Sequence, residues 1–189
     1  GVGILTAGGA EDALIEQNLV TNTRGAGINV GYYSELEWME PGTNPELYLS
    51  LNNVARNNIV VNAGQAGIGV YGSLNPKIYN NTLVNAANDA QAPIQFGFDD
   101  IWVSDVLPYV HVDSLNPIIL NNIITTDPSN DTRMIDIRQG SIDPAGTLTL
   151  DYNLYHGTST RGILFIDRNL TGDGTPEQTL SQWRANYGY

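Results

Sequence analysis

Two adjacent carboxylates and one histidine are the residues in this 189-residue chain best suited to moving a proton. Asp99 and Asp100 stand side by side, and glycoside hydrolysis needs a pair of carboxylates, one as acid and one as base or nucleophile. His111 alternates with Tyr109 and Asp113, so all three side chains share one side of an extended segment, where a carboxylate can orient the imidazole as a general base. The structural alternatives are an Asp-Asp turn and a surface histidine.

Arg138 is the cation best placed to pair with a substrate carboxylate, because it lies on an outward row of a predicted strand, beside Asp136. A polysaccharide lyase needs such a charge to neutralise a uronate. Other polar or aromatic side chains of the same strand position are candidates for binding substrate: Asn29, Tyr71, Gln95 and Asp136. Trp38 and Trp102 are candidates to pack on sugar rings, or they anchor their own loops to the body.

A possible calcium loop lies near the C-terminus. Asp167, Asn169, Thr171 and Asp173 place oxygen-bearing side chains at positions 1, 3, 5 and 7, with a glycine at position 6. Position 12 is Gln178 rather than Glu. The alternative is a Gly-Asp turn, and Ca²⁺ is the only cofactor that the sequence suggests.

The elements that must position these residues come from a repeat. The frame Leu-Asn-(four residues)-Asn-Asn occurs at 51–58, 74–81 and 115–122, and degenerate copies end at Asn18 and Asn153. Each copy is followed by short segments that alternate with period two, which predicts strands with one buried face. Repeats at this spacing predict stacked units, and therefore a parallel β-solenoid of about five coils. The Asn residues suit the corners, where they can bond one another as a ladder.

The frames at 75–82 and 116–122 and the tail at 180–188 make the chain resemble the right-handed parallel β-helix superfamily, the pectate-lyase-like fold. The resemblance implies an all-β fold over nearly the whole chain. Many members of that superfamily are secreted polysaccharide lyases, hydrolases or epimerases, and others are adhesins or phage tail proteins. The fold by itself does not choose among these activities.

Two long insertions interrupt the repeat, at about 34–45 and 98–114. Both follow the same strand of the coil, so they are expected to leave the same edge of the solenoid. The coil between them has a short turn, which suggests two walls with 68–71 as the floor of a groove. Glycines on the outward row leave room for a ligand there, and insertions on one face of a repeat commonly mark the binding face.

Composition excludes several classes of partner. The net charge is −12 with only eight Lys and Arg residues, which argues against nucleic acid and anionic membranes. There are no cysteines, which excludes disulfides and thiolate chemistry. No apolar run approaches the ~20 residues that span a bilayer. A secreted or cell-surface location, in a bacterium, fits the resemblance.

The two ends differ in their sequence patterns. Leu180 and Trp183 within 177–185 predict a short C-terminal capping helix, started by Thr179 or Thr175. The N-terminus offers no cap, so we expect 1–189 to be a single β-helix domain that is the C-terminal portion of a longer solenoid, with possible association through the uncapped edge.

The leading hypothesis is a carbohydrate-active β-helix that acts on an extracellular, acidic polysaccharide as a lyase or glycoside hydrolase. In it, Arg138 pairs with a substrate carboxylate, and His111, Asp99 or Asp100 moves the proton. Two alternatives stay open. One is a non-catalytic polysaccharide-binding or adhesion module, and the other is a structural stacking unit.

Overall fold

The structure, a computed structural model, describes residues 1–103, 109–127, 133–138, 146–157, 164–168 and 177–187. The chain winds through five coils, and each coil contributes one short strand to each of three sheets. All-β architecture with stacked parallel strands is what the repeat predicted.

Sheets 1 and 2 hold five strands each. Sheet 1 consists of β3 (Leu14–Glu16), β7 (Val54–Arg56), β11 (Lys77–Tyr79), β16 (Ile118–Leu120) and β19 (Thr149–Asp151). Sheet 2 consists of β4 (Leu19–Thr21), β8 (Ile59–Val61), β12 (Thr82–Val84), β17 (Ile123–Thr126) and β20 (Leu154–Gly157). All their pairings are parallel, so each coil stacks directly on the one before it.

Sheet 3 is the longest and carries the insertions. Its seven strands are β1 (Ile4–Thr6), β5 (Ile28–Val30), β9 (Ile68–Tyr71), β13 (Ile94–Gly97), β18 (Ile135–Ile137), β21 (Leu164–Asp167) and β22 (Gln178–Thr179). Among the described strands of this sheet, only β22 pairs antiparallel. A short fourth sheet consists of β2 (Ala10–Glu11), β6 (Ser50–Leu51) and β10 (Ser73–Leu74).

The core lies inside the coils, where the inward residues of sheet 3 meet those of sheets 1 and 2. The period-two alternation predicted one buried face for each strand, and in four strands of sheet 3 its inward residues are all buried: Ile28, Val30, Ile68, Val70, Ile94, Phe96, Ile135 and Ile137. Each fully buried side chain of this kind contributes about 1.5–3 kcal/mol by leaving water. Insertions of different length leave the stacking register intact, because they lie outside the strands.

A ladder of five Asn side chains runs the length of the coils, as the sequence predicted. Along it, Nδ2 of each Asn donates to Oδ1 of the next at 2.9–3.0 Å, and the rungs are Asn18, Asn58, Asn81, Asn122 and Asn153. Successive rungs lie 40, 23, 41 and 31 residues apart in sequence. The ladder therefore absorbs insertions while it satisfies polar groups at the core's edge.

The two residues of each Asn-Asn pair have different tasks. The first residue has the left-handed backbone that turns the corner, with φ near +55° at Asn57, Asn80 and Asn121. The second residue is the buried rung. Asn52, Asn75 and Asn116 add a second, partly buried ladder at 3.0–3.1 Å. The structural role that the sequence assigned to these Asn residues is therefore divided between corner and ladder.

Helix α1 (Leu180–Tyr187) covers the end of the core. The indole of Trp183 is buried and stacks on Phe165 with ring centroids 5.0 Å apart. Thr179 caps the helix reciprocally with Gln182: Thr179 N–H donates to Gln182 Oε1 at 2.8 Å, and Gln182 N–H donates to Thr179 Oγ1 at 3.4 Å. The predicted capping helix is confirmed. It begins at Leu180 rather than near 177, because β22 pairs with β21 first.

At the other end, residues 1–13 form β1 and β2 with their turns, and β1 is the edge strand of sheet 3. The described residues contain no helix with the length and hydrophobicity needed to span a bilayer.

Candidate functional site

Both insertions leave sheet 3 at the same end of its parallel strands. The first follows β5 and runs to β6, and the second follows β13. The strand between them, β9, passes directly into β10 through Gly72 alone. The predicted common edge is therefore confirmed.

The insertions join each other, so the expectation of two separate walls is wrong. Glu35 and Trp102 form a parallel backbone bridge between them. A second hydrophobic cluster lies beneath, formed by Met39, Leu47, Leu49, Ile101 and Val112. These apolar side chains close over the turn at Gly72, where an added Cβ would lie 3.0 Å from Leu49 Cδ1 and 3.1 Å from Val112 Cγ1.

The predicted groove floor is filled by a side chain of the chain itself. An added Cβ would lie 2.3 Å from the Tyr71 ring at Gly97 and 2.5 Å from it at Gly69. The glycines therefore make room for Tyr71 rather than for a ligand. Burial raises the pKa of Tyr71 to about 12, although the hydrogen bond from Gln91 and the charge of Arg138 oppose this. Tyr71 is a packed residue, with Tyr32 edge-on to it at 6.2 Å.

Three further predicted substrate-binding residues are buried, which corrects their assignment to an open surface. Asn29, Gln95 and Asp136 are 2%, 1% and 4% exposed. Gln95 Nε2 donates to the carbonyl oxygens of Phe96 at 2.8 Å and Asp136 at 3.2 Å. The Asp136 carboxylate pairs with Arg168 at 3.4 Å. The period-two alternation correctly predicted that these side chains point out of the coil. It did not predict the groups that cover them.

The second insertion contains a hairpin of β14 (Asp99–Trp102) and β15 (Tyr109–Val112). Asp100 pairs with His111, and Trp102 pairs with Tyr109. Directly opposed residues of an antiparallel pair share a face, and so do residues two apart along a strand. These four side chains therefore lie together on one face of the hairpin, while Ile101 faces the hydrophobic cluster beneath.

The imidazole of His111 lies between two carboxylates. Its Nδ1 is 3.0 Å from Asp100 Oδ1, and its Nε2 is 2.8 Å from Asp113 Oδ1. A carboxylate only accepts hydrogen bonds, so this arrangement favours a ring that carries a proton on both nitrogens. The predicted His111–Asp113 contact forms, but the second carboxylate leaves neither nitrogen available as a base.

Arg138 joins the same cluster through Phe98, which sequence reasoning missed. The Arg138 guanidinium carbon lies 5.2 Å from the centroid of the Phe98 ring. The centroids of the Phe98 and His111 rings are 4.5 Å apart. An aromatic ring attracts a cation on its face. Three of the four predicted catalytic residues, Asp100, His111 and Arg138, are thus brought together by the start of the second insertion.

Two clefts with aromatic walls lie at the first insertion, one against the turn between β1 and β2 and the other where the two insertions meet. One, of about 440 Å³, is lined by Ala7, Gly8, Tyr33, Ser34, Glu35 and Trp38. The other, of about 320 Å³, is lined by Glu35, Leu36, Glu37, Trp102 and Val103. We call these clefts and their aromatic rim the insertion surface. Trp38 is 67% exposed and Trp102 is 40% exposed, so both indoles present ring surface at the clefts.

The family model for the right-handed β-helix region matches residues 1–171. The chain belongs to the right-handed β-helix family. No curated protein and no solved structure matched the chain.

The predicted calcium ligands of this β-helix lie largely outside the described residues, since Asn169, Thr171 and Asp173 are not among them. Asp167 ends β21 and is buried. Within the described ranges, no group of three or more His, Asp or Glu residues is arranged to hold a metal ion.

Asp99 is the fourth predicted catalytic residue of the β-helix, and it pairs with Val112 rather than with His111. Desolvation by burial raises the pKa of Asp99; the backbone N–H of Asp100, 2.9 Å from its Oδ1, acts in the opposite direction. The ionised carboxylate therefore lowers folding stability at neutral pH. Protonation removes this cost, so the penalty is present above the folded-state pKa and disappears as the pH falls below the ordinary value of about 3.9.

We expect Asp99→Asn to raise the melting temperature at pH 7, because the amide keeps the hydrogen-bond acceptor and removes the charge. The gain should shrink towards zero at pH 3.5, where the wild-type carboxyl is also neutral. Thermal unfolding at both pH values measures this difference. The matched control is Asp89→Asn on an exposed carboxylate. An equal gain from both variants would mean that net charge, rather than burial, is responsible.

Proposed function

We propose that this right-handed β-helix binds a polysaccharide on the insertion surface. The observation that carries the proposal is the exposure of Trp38 and Trp102 at two adjoining clefts that share Glu35. Pockets of this size, with aromatic walls and a few polar groups, are typical of small-molecule and sugar sites. A secreted or cell-surface location would bring the protein to such polymers.

The aromatic rim supports a sugar ligand in particular. Tyr33 and Tyr109 are exposed beside the two tryptophans, and Tyr109 lies opposite Trp102 in the hairpin. Aromatic faces pack on the apolar faces of sugar rings, while hydroxyl and carboxylate groups at the edges bond sugar hydroxyls. A contiguous patch of exposed apolar side chains with polar neighbours is typical of a binding site.

The sign of the local charge argues against an acidic polysaccharide. Glu35 and Glu37 line the clefts, and the chain carries a net charge of −12. A uronate would be repelled there unless a divalent cation bridged it to the protein. We therefore propose an uncharged or cationic glycan in place of the acidic polymer that the sequence suggested.

Cleavage of the bound glycan is a second candidate function, favoured by one observation. Asp100 and His111 lie next to Trp102 and Tyr109 on the same hairpin face, about 7 Å along the strands. The histidine ring, however, fills the space between the two carboxylates that flank it. A glycosidic bond would have to occupy that space for the pair to act as acid and base. Binding without cleavage is therefore the better-supported function.

We expect the Trp38→Ala/Trp102→Ala double variant to bind its polysaccharide at least about 30-fold more weakly than the wild type. Exposed indoles that become buried on binding commonly contribute about 2 kcal/mol or more. Affinity electrophoresis against a panel of soluble polysaccharides measures the change. The control is Tyr152→Asn, which removes an exposed aromatic ring between β19 and β20, away from the insertions. Asn is suited to the left-handed backbone at position 152.

The same panel separates binding from cleavage. Reducing ends released by the wild type would indicate a hydrolase, and unsaturated product absorbance would indicate a lyase. Retention with neither signal is the expected result. If no polysaccharide is retained, or if the double variant binds as well as the wild type, the proposal is wrong.

A further inference from the structure

We infer that the glycan bound by the insertion surface carries free amino groups, and that Glu35 is the carboxylate that receives them. The inference rests on the proposed function and assigns the substrate class of the same site. It depends on three features of the clefts, which are the position of Glu35, the charges of their lining and the chemistry of their walls.

Glu35 is the one residue shared by the linings of the two clefts. Its backbone bridges to Trp102, which lines the second cleft, while Trp38 lines the first. The carboxylate therefore belongs to the junction between two aromatic walls. A glycan that follows both clefts would present consecutive rings to the two indoles and the substituents between those rings to Glu35.

The lining of both clefts is negative. It includes Glu35 and Glu37, and among the described residues it contains no Lys, Arg or His. In the described part of the chain, neither glutamate forms a salt bridge. By contrast, Glu16 pairs with Arg56 at 2.8 Å and Glu177 pairs with Arg133 at 3.0 Å. The negative charge of Glu35 and Glu37 is therefore not cancelled by such a pair within the described residues.

Aromatic rings beside a carboxylate are suited to an organic ammonium group. The ring faces of Trp and Tyr attract a cation, and a carboxylate supplies the opposite charge and a hydrogen-bond acceptor. Tyr33 and Glu35 line the same cleft, so an aromatic ring accompanies the carboxylate there. A hard metal cation would prefer oxygen ligands without aromatic walls. The combination therefore favours an amino sugar over a bare ion or a neutral sugar.

A matched ligand series tests the inference, using hexamers with the same β-1,4 linkage that differ only at C2. These are oligomers of glucosamine, N-acetylglucosamine and glucose. We expect the wild-type protein to bind the glucosamine hexamer about 5- to 30-fold more tightly than the other two in calorimetric titrations at low salt. The preference should shrink in 0.5 M salt, because an exposed charge interaction is screened.

The variant Glu35→Gln separates a local contact from a general charge effect. We expect it to bind all three hexamers with similar affinity, because the glutamine side chain can still bond sugar hydroxyls but lacks the charge that attracts an ammonium group. The control is Glu46→Gln, an exposed residue of the same insertion that makes the same change in net charge and lines neither cleft. This control should keep the preference for glucosamine.

Three outcomes would overturn the inference. The three hexamers could bind equally well to the wild type and more weakly to the double tryptophan variant. That result would support the proposed function and contradict the amino-sugar assignment. Equal loss of preference in both glutamine variants would reduce the effect to net charge. If the glucosamine hexamer does not bind, the amino-sugar assignment is wrong. The proposed function is then tested separately by affinity electrophoresis against the panel of polysaccharides.

Discussion

Replacing Asn81 by alanine is expected to lower the free energy of unfolding by about 3–5 kcal/mol. The Asn81 side chain is a middle rung of the buried ladder. Its Nδ2 donates to Ala55 O at 2.9 Å and to Asn122 Oδ1 at 3.0 Å. Its Oδ1 accepts from the backbone N–H of Asn58 at 3.1 Å and from Asn58 Nδ2 at 3.0 Å. Alanine would leave several of these buried groups without a partner at once.

Denaturant unfolding of the Asn81→Ala variant measures this loss, and the adjacent residue provides the control. Asn80 has an exposed side chain and a left-handed backbone with φ of 56°, which glycine adopts readily. Asn80→Gly should therefore change stability by less than about 1 kcal/mol. If the two variants unfold at the same denaturant concentration, the ladder does not stabilise the coils in the way we describe.

The ladder and the core could be predicted from the sequence because their signals repeat. Every coil has an Asn directly before its strand of sheet 2. The alternation in sheet 3 places Ile, Val or Phe side chains in the core in every coil. A single weak copy of such a pattern is ambiguous, but stacked copies must agree in register. The frames ending at Asn18 and Asn153 illustrate this, since both join the ladder despite their degenerate sequences.

The closed arrangement of the insertions carried no such repeated signal. Leu49 and Val112 meet over Gly72, although they belong to segments with no shared period. Their contact depends on how two irregular segments fold towards each other. The sequence placed both insertions at one edge, as the structure does, but it could not indicate that they join. The exposed clefts therefore lie along the joined insertions rather than over β9, the strand between them.

The outward row of sheet 3 failed as a binding prediction for a related reason. Alternation gives the direction of a side chain but not what lies above it. The Tyr71 ring lies across Gly69 and Gly97. Asp136, which the sequence had placed beside Arg138, pairs instead with Arg168 of the next coil. Both covering groups lie close in space to the residues they bury, yet no spacing in the sequence identifies them.

We expect Gly31→Ala to destabilise the protein by about 3 kcal/mol or more and to weaken polysaccharide binding. Gly31 begins the first insertion with a φ of 77°, where a non-glycine residue costs about 1–2 kcal/mol. An added Cβ would also lie 1.9 Å from the backbone oxygen of Tyr71 in the next coil. That oxygen belongs to a strand of the stacked sheet, so relief requires the coils to separate or the insertion to tilt. Tilting would move Trp38, and with it one wall of the insertion surface.

Gly42→Ala is the matched control, because Gly42 lies in the same insertion with no atom within 4 Å of an added Cβ. We expect that variant to unfold and to bind glycan as the wild type does. Denaturant unfolding and affinity electrophoresis measure both properties for the two variants. A Gly31→Ala protein as stable as the Gly42→Ala protein would contradict the close approach of the coils at this point. A destabilised Gly31→Ala protein that kept full affinity would show instead that the insertion surface holds its shape independently of the strand from which it begins.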